Sequence, residues 1–224
     1  MNRQGRAAAA LGLIGPGLLA AYFAAPAFLD WPYAGLPPIQ LAQYALAHQQ
    51  FFFVGAWLQV TGATLSVLFF VSLVDCARAF LRPSGAAVIL ASALLLAVVV
   101  VEAAFLVAVP VAAGDNDLAT VATSFAFSNG VFARVFPLAP APLVFLSLGA
   151  VLRDSTVLPR AFVWTAFLIA GLFETASIVA IFAAVGSYAA IALSVLQEFW
   201  IVGAAVARLR IASTEMAQQS PSPV

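Results

Sequence analysis

Three glutamates and one arginine interrupt stretches that are otherwise almost wholly apolar. Glu102 lies inside "LLAVVVVEAAFLVAV", Glu174 follows "LIAGLF", Glu198 sits in "SVLQEFW" and Arg134 in "GVFARVF". Placed against lipid, each ionised group would cost several kcal/mol, so all four are expected to turn inward and share a site, with Arg134 touching at least one glutamate. Three carboxylates against one guanidinium would leave excess negative charge in a poor dielectric. At least one glutamate is therefore expected to carry a proton, or a cation must accompany the site. One carboxylate held by Arg134 and another kept neutral is an arrangement suited to general acid–base chemistry or proton transfer.

Other polar residues could line such a site. Ser194 is four residues before Glu198 and Ser177 three after Glu174, so each shares a helical face with its glutamate. Gln59, Asn129 and Gln197 are further substrate-binding candidates, and His48 in "YALAHQQFFF" is one nearer the outer interface. A purely structural reading stands beside this one: Arg134 pairs with one glutamate, the others hydrogen-bond across helices, and together they only fix packing. No His-x-x-x-His or His-Glu-x-x-His spacing supports a metal, and the single Cys76 excludes an internal disulfide or a cysteine cluster. No dinucleotide fingerprint or phosphate loop calls for a cofactor.

Composition decides which kind of scaffold can hold these groups. Of 224 residues, 64% are hydrophobic and 8% charged, far from a soluble domain. Apolar stretches of spanning length predict an all-α, polytopic transmembrane bundle of six helices near 8–29, 41–79, 85–109, 120–152, 161–184 and 188–208. The polar start of the second, "QLAQYALAHQQ", belongs at the interface. Pro110 is expected to close the third. In the fourth, Pro137, Pro140 and Pro142 predict a kink or an unwound segment, which lipid alone could not satisfy. Residues 1–210 form one domain in this reading, and the polar tail 211–224 is disordered.

All nine basic residues are arginine. Arg3 and Arg6, Arg78 and Arg82, Arg153 and Arg160, and Arg208 and Arg210 fall on one side of a six-span topology. The positive-inside rule makes that side cytoplasmic, with both termini there. Helical rise then puts Glu198 about 15 Å and Glu174 about 21 Å from the arginine-rich boundary, and Glu102 about 30 Å along a tilted helix. Without a basic face, a nucleic-acid partner is excluded.

The segment "PLAPAPLVFLSLGAVLRDSTVLPRAFVWTAFLIAGLFE", about a third of the chain with its neighbours, resembles a group of small uncharacterised bacterial six-helix membrane proteins. There a proline-containing fourth helix ends at a basic residue, followed by a leucine-proline-arginine step, here Leu158, Pro159 and Arg160. The resemblance implies six helices and a bacterial inner-membrane location, and it supplies no chemistry.

Three functions fit. The first is an integral membrane enzyme whose buried carboxylates isomerise, cyclise or hydrate a lipophilic, isoprenoid-like substrate, with aromatic rings stabilising a cationic intermediate. The second is a small proton-coupled or organic-cation carrier, for which six helices suggest a homodimer. The third is a non-catalytic subunit held by other membrane helices.

Overall fold

The computed structural model describes residues 3–25, 31, 32, 35–182 and 186–219. Among them are eight α-helices: α1 (Arg3–Ala24), α2 (Pro38–Ala47), α3 (Gln49–Cys76), α4 (Pro83–Gly114), α5 (Leu118–Gly130), α6 (Pro140–Arg153), α7 (Arg160–Phe182) and α8 (Gly186–Gln219). No strand occurs among the described residues. Segments of α1, α3, α4, α7 and α8 are long and apolar enough to cross a membrane, as in a multi-pass protein.

Local chemistry sets the boundaries. Pro38, Pro83 and Pro140 each open a helix, where a missing N–H costs nothing. Asp117 caps α5, its carboxylate accepting from the Thr120 amide at 3.1 Å and from the Thr120 hydroxyl at 2.5 Å. Two expected boundaries need correction. Pro110 does not close the third span: it is buried within α4, which runs one turn further to Gly114. A proline near a helix end removes one backbone bond, and its buried ring retains its packing. The stretch after residue 210 is not wholly irregular either. α8 continues to Gln219 through "IASTEMAQQ", rich in good helix formers and free of proline, while 220–224 lie outside the described residues. The tail of the expected first span, 26–29, also lies outside them.

Between α5 and α6 the chain forms a π-helical turn, Val131–Val135, and a further turn over 136–139. The Phe136 amide donates to the Val131 carbonyl at 3.0 Å and the Ala141 amide to the Phe136 carbonyl at 3.2 Å, both reaching one residue further back than in an α-helix. Each such step inserts a residue and re-aims the next part of the helix.

Helix contacts close a ring: α1 packs on α3, α3 on α4, α4 on α6, α6 on α7, α7 on α8, and α8 back on α1. α2 and α5 lie against α4 at one end. α1 and α3 come into close backbone contact at two glycines. A Cβ on Gly15 would sit 2.8 Å from the Gly62 carbonyl oxygen, and one on Gly62 would sit 2.9 Å from that of Gly15. Only glycine allows this crossing. On the α6–α7–α8 side, Phe145, Phe173 and Trp200 are buried, and the Trp200 indole donates to the Phe162 carbonyl and the Thr165 hydroxyl at 3.2 and 3.0 Å. The arginine-bearing turns meet at one end. There Arg208 reaches the Val157 carbonyl at 3.3 Å and the Cys76 sulfur at 3.4 Å. At the end of α6, Arg153 pairs with its exposed neighbour Asp154 at 3.3 Å.

Candidate functional site

The site follows from helix phase. On α4 the buried face runs Leu95, Val99, Glu102, Ala103, Leu106, a stripe with helical spacing that carries Glu102 into the ring. On α8 the buried residues include Ser194, Gln197, Glu198 and Ile201. On α3 they include Gln59, Ala63, Ser66 and Phe70. These three faces, with Leu19 and Phe23 of α1 and Phe136 beyond the π turn, enclose a cavity of about 30 Å³. That volume holds water molecules or an ion rather than an organic substrate.

Both acids in this cavity are bound by amides from neighbouring positions. Gln59 Nε2 donates to Glu102 Oε2, tying α3 to α4. The Tyr22 hydroxyl of α1 reaches Glu102 Oε1 at 3.4 Å. Gln197 Nε2 donates to Glu198 Oε1 at 3.1 Å along α8. Glu102 is 4% and Glu198 6% exposed, and neither forms an ion pair among the described residues. An isolated ionised carboxylate in such surroundings is expensive, so a proton, a cation or water must complete it.

The remaining polar atoms agree. Among the described residues, five buried side-chain atoms have no hydrogen-bond partner, and four of these belong to cavity-lining residues: Gln59 Oε1, Ser66 Oγ, Gln197 Oε1 and Glu198 Oε2. The fifth is Ser92 Oγ. Orphaned buried oxygens are rare, and a cluster of them around one void marks a place for donors that the described residues do not supply. No group of three or more metal-ligating acids, histidines or cysteines occurs among the described residues.

The expected convergence of four charged residues is corrected to two. Glu174 is exposed, at the edge of an outer groove formed by Leu138, Pro142, Leu146 and Phe167. α7 buries Val163, Ala166, Ile169, Ala170, Phe173 and Ser177, and at 3.6 residues per turn Glu174 falls just past one edge of that stripe, roughly 70° from its centre. Arg134 is also exposed and forms no ion pair with a glutamate among the described residues. It lies in the π turn, which carries Phe136 into the cavity and leaves Arg134 on the outside.

The other candidates divide. Gln59, Gln197 and Ser194 line the cavity with the two glutamates. Ser177 is buried on α7 away from it. Asn129 donates to the Phe125 carbonyl at 2.8 Å and lines a second cavity near Glu102. His48 is half-buried at the α2–α3 break, stacked on Tyr44 and within 3.0 Å of the Tyr44 carbonyl, and lines none of the cavities around the glutamates. Sequence reasoning missed Ser66 and Tyr22. Ser66 had a signal, since it lies seven residues after Gln59 on the same helical face. Tyr22 had none, because its role depends on where α1 meets α4. No protein family, curated protein or solved structure matches the chain.

Proposed function

We propose that the chain is a small proton-coupled membrane carrier whose loading site is the Glu102–Glu198 cavity. The observation that carries this reading is the cluster of orphaned oxygens around two buried carboxyls that form no ion pair among the described residues. Such a void suits a proton shared with water, or a small cation, near the middle of the membrane. An acid–base enzyme could use the same pair, but a lipophilic substrate needs a chamber of roughly 300–1,000 Å³. The cavities touching Glu102 measure about 30 and 150 Å³.

In this reading the bundle has six spans. α6, with 14 residues, reaches about 21 Å, too short for a hydrocarbon core of about 30 Å. α5, the π turn and α6 together make the sixth, broken crossing, with the irregular backbone sheltered by α4 and α8. The arginine end faces the cytoplasm of a bacterial inner membrane, with both termini inside. Reporter fusions within residues 114–117 and after Arg210 test this, and a periplasmic C-terminus refutes it. The outward Glu174 and Arg134, of opposite charge, mark a face for a second copy of the chain or for other membrane helices.

Proton uptake into proteoliposomes containing the full chain tests the function. Glu102→Gln and Glu198→Gln retain size and hydrogen bonding, so both variants should fold. At least one should abolish uptake and remove a protonated-carboxyl infrared band. Normal uptake and an unchanged band in both would make these residues structural.

A further inference from the structure

Glu102 borders a second cavity. On the side away from the arginine end, Tyr22, Phe23, Trp31 and Phe51 surround a space of about 150 Å³ that reaches the same carboxyl. Two of the wall rings, Trp31 and Phe51, pack edge-on at 5.4 Å, and Trp31 is braced from behind by Phe52 and Phe125, tilted against it at 5.3 and 5.6 Å. A void of this size takes a guest about as large as benzene. Aromatic walls around one carboxyl are the surroundings that recognise a quaternary ammonium: ring faces attract the diffuse positive charge, methyl groups fill the apolar space, and no hydrogen bond is required.

We infer that the aromatic cavity is a binding subsite for a small alkylammonium ion, and that this ion and a proton compete for Glu102. The inference rests on the reading of Glu102 as a proton-loading group and adds the class of substrate. The exchange balances: ammonium and protonated Glu102 give an ammonium–carboxylate pair, and the proton leaves to water. The hydroxyl of Tyr22 at 3.4 Å is the contact that the incoming ion displaces. Among the described residues, two titratable side chains face Glu102, Tyr22 on α1 and Glu198 across the inner cavity on α8. α3 presents Gln59, and α5 presents Ser128 and Asn129.

The test uses the purified full chain, radiolabelled tetramethylammonium as probe, sodium as control, and a pH indicator in weak buffer. Saturable tetramethylammonium binding is expected, with proton release in step with occupancy and no competition from sodium at equal concentration. Trp31→Leu should weaken binding about tenfold and leave the protonated-carboxyl infrared band in place. Glu102→Gln should abolish the proton release. A parent protein with a Glu102-dependent carboxyl band but no tetramethylammonium binding overturns the subsite and leaves the proton-loading reading standing. Absence of that band overturns both. Binding that neither variant weakens, or that sodium displaces equally well, places the ion elsewhere and overturns the inference.

Discussion

The bond between Gln59 and Glu102 offers the sharpest test of the site, because its strength reports the state of the carboxyl. Gln59→Leu keeps roughly the same volume and removes the donor, leaving Glu102 Oε2 buried without its partner. Glu102→Leu removes the acceptor, and the double variant removes both. The cycle built from these three and the parent isolates the pairwise energy. Hydrogen bonds between membrane helices average about 0.6 kcal/mol and reach about 1.7. Bonds to a charged group contribute about 1.5–3 kcal/mol. With a protonated Glu102, the coupling should therefore fall between about 0.6 and 1.7 kcal/mol at neutral pH and stay level on mild acidification. Glu102→Gln should be close to neutral, since the Gln59 amide can turn its unpartnered Oε1 toward the new donor. Unfolding of the purified protein by titration of SDS into mixed micelles measures each corner. A coupling within about 0.5 kcal/mol of zero would show that the two side chains do not hold one another. A coupling above about 2 kcal/mol that fades on acidification would mean an ionised Glu102, and proton loading at that residue would be wrong.

Three further outcomes are expected. Gly62→Val should destabilise the protein by about 1–3 kcal/mol in the same assay, because its side chain would enter the space of Leu19 and the Gly15 carbonyl, whereas Gly17→Val, with open space around it, should not. Cysteine pairs introduced beside Glu174 and Arg134 should cross-link two copies in native membranes, and Glu174→Arg should abolish the product; unchanged cross-linking would remove the charge-paired dimer face. Thr120, bonding through its hydroxyl and then its amide, holds the Asp117 carboxyl below the usual aspartate range, so the contribution of the cap is full above that range and lost as pH falls through the lowered value. Amide exchange in the first turn of α5 should accelerate on acidification in the parent chain and much less in Asp117→Asn.

Much of the architecture was legible in the residues alone. Runs such as 95–109 are too apolar for water, so a helical membrane bundle follows from the need to satisfy every backbone group within the segment. Most of the polar start "QLAQYALAHQQ" separates as α2, while Pro137 lies in the turn over 136–139 and Pro140 and Pro142 in the first turn of α6. Gln59, Gln197 and Ser194 could be named because polar side chains in such runs have few tolerable places. Which charged residues meet could not be read. In a soluble helix the apolar stripe marks the inside, but here both the lipid face and the packed face are apolar, so hydrophobic periodicity leaves each helix free to rotate. The glycine crossing of α1 on α3, the phase of α7 that turns Glu174 outward, and the residue inserted at the π turn that leaves Arg134 outside were decided by packing between helices. The same packing brought Glu102 and Glu198, nearly a hundred residues apart, to one small void. Close contact between specific helix faces sets that distance, and residue types along a single helix carry no record of it.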